Sequence, residues 1–259
     1  MISLALVCEA LALDTPSAIP ESWLQGRTAY GGLSAAMALH LVLKNSRPDL
    51  PPLKAAQLSF IGPVVPSARF LVETLRQGKS VTQISVDARV EESLVMRASF
   101  VFGAARDSRI RHIRIERPDV SAPSAYPELT GPGVEIGHFK NFEVRFVGDA
   151  RPVSGAAEPE LVAWVRLRER GDLRPEVETL ALGDFLPPAS MAMFTASAPI
   201  SSVNWALDFP RPARSPLNWC LQRTRSLSAG DGYSFQVMDM WDEEGNLVLL
   251  GTQTVAIFA

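Results

Sequence analysis

Two short sequence patterns occur twice in this chain and in the same order. The segment Leu58-Ser-Phe-Ile-Gly-Pro63 is matched in the second half of the chain by Leu207-Asp-Phe-Pro-Arg-Pro212. Farther along each half, Glu91-Glu-Ser-Leu-Val95 is matched by Glu243-Glu-Gly-Asn-Leu-Val248, and both precede an apolar segment. Short matches that keep their order indicate an internal duplication, which limits the chain to folds built from two similar units.

The segment between these halves differs from both of them. Residues 103–137 carry four prolines and mixed charges, without a sustained hydrophobic period. That composition is typical of an extended crossover rather than of a core element. We therefore predict an N-terminal repeat at residues 1–103, a linker at residues 104–137 and a C-terminal repeat at residues 138–259.

Each half combines one helix pattern with several strand patterns. Apolar side chains recur at helical spacing from Leu33 to Leu41, directly after Gly31-Gly32. A second helix is predicted at Glu178–Phe185, ending before Pro187-Pro188. Strands are predicted at these segments: Gln83–Val90, Phe139–Val147, Leu161–Leu167, Ser202–Phe209, Leu217–Ser226, Tyr233–Trp241 and Leu247–Phe258. The pattern predicts an α+β fold in which a helix packs on an antiparallel sheet in each half.

Composition and charge exclude several classes of protein. A chain of 259 residues with 47% hydrophobic residues can bury a sizeable core, and a net charge of −3 gives no electrostatic footprint for nucleic acid. Cys8 and Cys220 lie far apart, and no Cys or His spacing suits a metal, so neither a disulfide framework nor a metal site is expected. The apolar segment Met1–Leu13 lacks a basic start and is too short to span a membrane. We expect it to form an edge strand of a cytoplasmic protein.

The motifs of several large enzyme classes are missing from the sequence. It contains no GxSxG elbow, no P-loop and no GxGxxG fingerprint, and its three histidines have no metal-ligand spacing. Classical serine hydrolases, NTPases and Rossmann oxidoreductases are therefore disfavoured.

The residues that remain resemble the type II acyl-CoA thioesterases over almost the whole chain. In the first half the resemblance is carried by Arg27–Gly32, Ser59-Phe60, Pro63-Val64, Glu73–Ser80 and Ala98–Phe100. In the second half it is carried by Leu182–Leu186, Asn204–Pro212, Gly245 and Thr252-Gln253. The resemblance implies a double hotdog fold, in which each half wraps an antiparallel sheet around a central helix. It also implies that water hydrolyses an acyl-CoA to a fatty acid and CoA, without a metal, a cofactor or a covalent intermediate.

In this family, an Asp, a Thr or Ser and a Gln hold the attacking water. Carried over by resemblance, the Gln position is matched by Gln253, whereas the Asp position falls on Asn204. The Thr or Ser position falls on Leu227, with Ser226 and Ser228 on either side. A carboxamide is not a general base, so either hydrolysis is slow or a nearby carboxylate accepts the proton. Our candidates for that carboxylate are Asp184 and, second, Asp208; strand alternation places Asp208 on the same face as Asn204.

The start of the first predicted helix offers a complementary group. The glycines of Tyr30-Gly31-Gly32 let a substrate approach the backbone, and the first N–H groups of a helix have no intrahelical acceptor. We therefore expect Tyr30, Gly31 and Gly32 to bind substrate, with the N–H groups holding the thioester oxygen. Structural roles stay open beside this one: Gly32 for close packing, Tyr30 as a core aromatic residue and Asp184 as a helix cap.

Two other functions remain open at this point. One is a non-catalytic acyl-CoA or lipid-binding protein, which the asparagine at position 204 favours. The other is a hydratase or dehydratase on the same fold, disfavoured because no histidine stands in the required context. For the enzyme, the expected partner is a small-molecule acyl-CoA, whose phosphates Lys79, Arg211 or Arg225 could meet at the surface. A homo-oligomer is left open.

Overall fold

The computed structural model of the protein describes residues 2–131, 137–169, 171–211 and 217–258. Residues 132–136 of the predicted linker and Pro212 of the second repeated motif lie outside these ranges. The helices are α1 (Leu4–Glu9), α2 (Gly31–Asn45) and α3 (Pro175–Gly183). The strands are β1 (Leu24–Gln25), β2 (Thr28–Ala29), β3 (Leu53–Phe60), β4 (Arg69–Gln77), β5 (Val81–Val90), β6 (Ser93–Gly103), β7 (Phe142–Phe146), β8 (Glu160–Leu167), β9 (Ile200–Asp208), β10 (Cys220–Gly230), β11 (Tyr233–Trp241) and β12 (Leu247–Ile257).

Strands β3 to β12 form a single ten-stranded antiparallel sheet. Its order is β4-β5-β6-β3-β9-β12-β11-β10-β8-β7. Read toward the centre of the sheet, β4-β5-β6-β3 has the same order as β10-β11-β12-β9, so each half contributes an equivalent set of four strands, and β8 and β7 extend the second half beyond β10. The two sets join where β3 pairs with β9, from Ala55 opposite Asp208 to Ser59 opposite Asn204. The α+β class predicted from the sequence is confirmed.

Helix α2 is central because it is apolar on nearly every side. Its residues from Gly32 to Leu39 are buried, and so are Leu41 and Val42. A helix that is hydrophobic all round must be covered on all sides. The sheet covers part of this surface, and α3 packs directly against α2 and covers more of it. The two predicted helices are therefore confirmed, and they lie in contact with each other.

The N-terminal segment is a helix, and the predicted edge strand is wrong. Ser3 caps α1, its side-chain oxygen accepting a hydrogen bond of 3.3 Å from a first-turn N–H. The buried residues Leu4, Val7, Cys8 and Leu11 recur at helical spacing, and α1 packs on α2. A serine cap followed by apolar residues three and four apart favours a helix over a strand. Among the described residues, no helix is both long and apolar enough to cross a membrane.

Strand β9 contains a bulge that changes which of its side chains face the helices. Thr254 of β12 pairs with Asn204, but the next residue, Val255, pairs with Ser202, so Val203 has no partner. Paired residues point to the same side of a sheet, and one extra residue reverses the alternation. Ser202 therefore faces inward beside the buried Val255, whereas Asn204 is exposed on the outer face.

The described part of the predicted linker covers the outer face of the second half. Ile115, Val120 and Tyr126 pack against a small cluster that is separate from the main core. This cluster contains Trp164, Trp219, Leu221, Trp241 and Leu247. The Arg117 guanidinium lies 5.4 Å from the centre of the Trp164 ring, and the indole N–H of Trp164 donates to the Ser121 carbonyl at 3.1 Å. The linker thus shields apolar surface that a solvated sheet face would leave exposed.

Strand β7 carries a nearly buried carboxylate on this covered face. The side chain of Glu143 is 6% exposed and accepts hydrogen bonds from Arg145 (2.7 Å) and Arg166 (2.8 Å). Burial would raise the pKa of Glu143, but the hydrogen bonds and charges of the two guanidinium groups together hold it below its ordinary value. The Arg166 guanidinium also lies 4.6 Å from the Trp219 ring centre.

We expect Glu143→Gln to lower the free energy of unfolding by about 3 kcal/mol, because it leaves two partly buried guanidinium groups without their counter-charge. Urea denaturation at neutral pH measures this change. The matched control is Glu128→Gln, which removes the half-exposed partner of Arg168 and should cost less than about 1 kcal/mol. Equal losses in the two variants would show that the Glu143 cluster adds no special stability.

Candidate active site

A cleft of about 440 Å³ opens where elements of both halves meet. The first half contributes the start of α2 and the segment after β3, and the second half contributes the segment after α3 and parts of β9 and β12. Its polar lining includes Asp184, Ser202 and Gln253. Its apolar lining includes Phe60, Val64, Phe139, Phe185, Leu186 and Pro187. A cleft that combines apolar walls with a few convergent polar groups is typical of a small-molecule site.

Asp184 lies directly after α3, with its carboxylate against the first turn of α2. The backbone N–H of Gly32 donates to this carboxylate. A Cβ atom added at Gly31 would lie 2.6 Å from Asp184 Oδ2, so only glycine allows the carboxylate to approach this closely. The positive end of a helix dipole favours a carboxylate at such a position.

The pKa of Asp184 is set by opposing effects. Burial raises it, while the hydrogen bonds from Gln253 and from the Gly32 backbone lower it, and the result is about 7. A carboxyl group that titrates near neutral pH in a cleft is suited to general acid or base chemistry.

Gln253 joins the polar residues of the cleft. Its Nε2 atom donates to Asp184 Oδ1 at 3.2 Å and to Ser202 Oγ at 2.9 Å. Its Oε1 atom accepts a hydrogen bond of 2.7 Å from Gln236 Nε2 on the neighbouring strand β11. Gln253 is 2% exposed, and these bonds satisfy the carboxamide on both sides, as burial of a polar group requires.

Tyr30 holds the two halves together beneath the cleft. Its hydroxyl donates to the Ala181 carbonyl in the last turn of α3 at 2.9 Å, and its ring stacks on His138 with 4.6 Å between the ring centres. Burial and then the neighbouring charge of Asp184 raise the pKa of Tyr30, so its hydroxyl stays protonated. Burial lowers the pKa of His138 to about 4, so this histidine is neutral at pH 7.

The structure brings Tyr30, Gly31, Asp184 and Gln253 together in the cleft. Gly32, whose added Cβ would lie 2.7 Å from the Tyr30 ring, contributes its N–H. The close-packing role left open for Gly32 is thus present together with a hydrogen bond to Asp184.

Three other residues expected at the site lie away from the cleft. Asn204 is exposed on the outer face of β9, where its Oδ1 accepts from the Thr254 N–H at 3.1 Å. Ser226 bonds to Ser234 at 2.9 Å near the end of β10, and Ser228 is exposed beyond a bulge in the same strand. Among the described residues, the cleft lining includes none of these three.

Ser202 and Gln236 were not singled out by the sequence. Simple alternation places Ser202 on the outer face with Asn204, and only the bulge at Val203 turns it inward. In the sequence, Gln236 is one polar residue in a strand that has both polar and apolar residues. Its complete burial depends on the register of β11 with the neighbouring strands. Among the described residues, no group of three or more His, Cys, Asp or Glu side chains is placed to hold a metal ion.

Comparison with known families gives two matches that follow one another along the chain. A model described as the acyl-CoA thioesterase N-terminal domain matches residues 19–103, and one described as the acyl-CoA thioesterase C-terminal domain matches residues 117–257. The family resemblance drawn from the sequence is therefore confirmed. Among curated proteins, none matches the chain significantly.

Solved structures with low sequence identity share the fold. A hot dog fold protein from Alicyclobacillus acidocaldarius is 22% identical with a TM-score of 0.85, covering 98% of this chain and 97% of its own. The acyl-CoA thioesterase II TesB2 from Mycobacterium marinum is 20% identical with a TM-score of 0.77, covering 99% of both chains. A tesB protein from Mycobacterium avium is 16% identical with a TM-score of 0.76, covering 99% of this chain and 98% of its own. The predicted double hotdog fold is confirmed.

The raised pKa of Asp184 predicts an unusual dependence of stability on pH. Between about pH 4 and pH 7 the folded carboxyl binds a proton that the unfolded one releases, so the free energy of unfolding falls as the pH rises through this range. We expect this contribution to be on the order of 4 kcal/mol and to be absent from Asp184→Asn. Urea denaturation of both proteins at pH 4, 5.5, 7 and 8 measures it.

The control is Asp208→Asn, which changes an exposed carboxyl on the outer face of β9. This variant should keep the wild-type pH dependence. If wild type and Asp184→Asn lose stability in parallel across the pH range, the Asp184 pKa is not raised.

Proposed function

We propose, because this chain belongs to the acyl-CoA thioesterase family, that it hydrolyses acyl-CoA thioesters with a water molecule held by Asp184 and Ser202, which Gln253 fixes relative to each other. One observation carries the proposal: a carboxylate, a hydroxyl and a carboxamide converge on one cleft and are joined by Gln253. These are the three kinds of group that the family uses to hold water. Gln253 stands at the position that the resemblance gave, whereas Asp184 and Ser202 stand at positions that it did not give.

Asp184 accepts the proton in this proposal. The water oxygen attacks the thioester carbonyl carbon while one of its protons passes to the Asp184 carboxylate. The tetrahedral intermediate then collapses, the carbon–sulfur bond breaks, and Asp184 returns its proton to the sulfur, which leaves as the thiol of CoA. The carbonyl carbon becomes the carboxyl group of the fatty acid. Because the Asp184 pKa is about 7, the carboxylate is basic enough to take a proton and is largely ionised just above neutral pH.

Ser202 orients the water, and Gln253 fixes Ser202 and Asp184 in place. The Ser202 oxygen accepts a hydrogen bond from Gln253 Nε2, so the hydroxyl hydrogen remains available to a water in the cleft. The same nitrogen holds Asp184 Oδ1, which fixes the carboxylate relative to the hydroxyl. Fixing the geometry of base and nucleophile in advance lowers the entropy lost on reaching the transition state.

The start of α2 supplies the complementary charge. The Gly32 N–H is already used by Asp184, and the Gly31 N–H, at the first position of the helix, has no intrahelical acceptor. We assign the Gly31 N–H to the thioester oxygen, where negative charge develops in the transition state and where the helix dipole favours it. The apolar residues Phe60, Phe139 and Phe185 line the cleft and provide contacts for the acyl chain.

The position of Asp184 in the cleft favours hydrolysis over binding without turnover. The non-catalytic alternative depended on the lack of a carboxylate at position 204. A carboxylate from a different element, the end of α3, now stands in the cleft, so that reason no longer applies.

We expect Asp184→Asn to lower kcat/KM for acyl-CoA hydrolysis by about 10²- to 10⁴-fold, because it removes the general base. Ser202→Ala and Gln253→Met should each cost roughly 10²-fold by removing one preorganised hydrogen-bonding group. Release of free thiol from a panel of short to long acyl-CoAs measures these rates. Asn204→Ala and Ser228→Ala, both exposed on the sheet, are the controls and should keep wild-type rates. No hydrolysis by wild type, together with a rise in its melting temperature with acyl-CoA, would support the binding protein instead.

The pH dependence of the reaction provides an independent test. Hydrolysis needs ionised Asp184, so kcat/KM should rise with pH and level off above a midpoint of about 7. The measurement is the initial rate at low substrate from pH 5 to 9, corrected for spontaneous hydrolysis. A midpoint near the ordinary value of an aspartate, about 4, would contradict the role of Asp184 as the base.

A further inference from the structure

Gln236 is a fully buried carboxamide that does not line the cleft. It lies on β11, 0% exposed, directly opposite Gln253 of β12 in the register of the sheet. Its Oε1 atom accepts from the backbone N–H of Ala189 at 2.9 Å, and its Nε2 atom donates to Gln253 Oε1 at 2.7 Å. It therefore stands behind Gln253, on the side away from Asp184.

The Ala189 N–H gives this series of hydrogen bonds its direction. The two ends of a carboxamide have nearly the same shape, so only their partners decide which end is oxygen. A backbone N–H can only donate, so the atom of Gln236 that faces Ala189 must be the oxygen. The Gln236 nitrogen then faces Gln253, which makes the facing atom of Gln253 an oxygen and leaves the Gln253 nitrogen toward Asp184 and Ser202.

The loop that begins at Asp184 also provides the first donor. Residues 187 and 188 are both proline and have no N–H, so Ala189 is the first residue after Leu186 that can donate from its backbone. The hydrogen bonds therefore close a ring that leaves the loop at Ala189, passes through Gln236 and Gln253, and returns to the loop at Asp184.

We propose that Gln236 is a positioning residue that fixes the carboxamide of Gln253 with its NH2 group toward Asp184 and Ser202. Its importance for rate rests on the proposed function of Asp184, whereas the orientation itself does not. Without Gln236, the Gln253 carboxamide is free to turn over. Its oxygen would then face Asp184 Oδ1, placing two acceptors where the wild type has a donor and an acceptor 3.2 Å apart.

Loss of the hydrogen bond from Gln253 Nε2 destabilises the ionised form of Asp184. A hydrogen bond donated to a carboxylate lowers its pKa, so removing the bond from Gln253 raises the pKa further. Among the described residues, the other titratable groups that line the cleft are Tyr30, from the start of α2, and His138, which stacks on Tyr30. Both stay in place in the variants below.

The test compares Gln236→Met with Met238→Leu. Methionine keeps the volume of glutamine but cannot bridge Ala189 and Gln253. Met238 lies two residues along β11 and is also buried, and its sulfur accepts from the Trp205 indole N–H at 3.1 Å, so Met238→Leu removes a buried acceptor outside the ring. We expect Gln236→Met to raise the midpoint of Asp184 titration, followed by carboxyl ¹³C NMR, by about one pH unit. The acid limb of kcat/KM should move equally, and Met238→Leu should move neither.

A double variant separates positioning from general loss of packing. If Gln236 acts through Gln253, then Gln236→Met has no further effect on the Asp184 midpoint once Gln253→Met is present. Equal shifts in the presence and absence of Gln253 would overturn the proposal. So would an unshifted midpoint in Gln236→Met.

Neutron crystallography of the wild type tests the orientation without any substitution. The expected density places the two Gln253 amide hydrogens toward Asp184 and Ser202, and hydrogens toward Gln236 would overturn the proposal. The titration and neutron measurements need no turnover. An inactive wild type with the expected orientation would refute hydrolysis and leave the role of Gln236 intact. An active wild type with an unshifted midpoint in Gln236→Met would refute the role of Gln236 and leave hydrolysis intact.

Discussion

The carboxylate of Asp184 lies against the first turn of helix α2, and this contact joins the two halves of the molecule at the cleft. The carboxylate comes from the end of α3 in the second half, whereas the N–H that holds it comes from Gly32 in the first half. Tyr30 adds a second link by donating from the first half to the α3 carbonyl of Ala181. The cleft is thus complete only when both repeats are docked. The continuous sheet holds them in that position through the pairing of β3 with β9.

Burial at this contact is also the source of the chemistry. A carboxylate in water is a weak base, and moving it into a protein raises its proton affinity at a cost in stability. Here the cost is limited by donors that are fixed in place, one from a helix terminus and one from a buried carboxamide. Other parts of the molecule stabilise the fold against this cost. They include the apolar surroundings of α2 and the outer cluster that the linker covers.

The sequence predicted the elements of the fold better than the positions of the site. Apolar periodicity located α2, β5 and the strands of the second half, because these patterns are local. It did not single out β3, β4 or β6. It failed at the N-terminus, where the helix cap at Ser3 outweighed the apolar character of the segment. Asp184 was found because a carboxylate beside a helix end is a local signal. Ser202 and Gln236 were missed because their orientation depends on a bulge and on the register between strands, which no short segment contains. Family resemblance placed the Asp position on Asn204 and the Thr or Ser position on Leu227, between Ser226 and Ser228. The structure leaves Asn204 and both serines outside the cleft.

The bulge at Val203 makes the inward face of β9 depend on how the strand pairs with β12, and not only on which residues it contains. Before the bulge the even-numbered residue Ser202 faces the helices, whereas after the bulge the odd-numbered residue Trp205 does. Deleting Val203 would remove the bulge and leave Ser202 opposite Val255, still facing inward. If Val203 instead took a regular place in the ladder, the Ser202 hydroxyl would turn to the outside of the sheet, although no residue of the cleft would have been replaced. A scan of point substitutions along β9 would pass over this constraint, since Val203 itself is a partly exposed side chain. What matters at Val203 is that it stands outside the pairing of β9 with β12.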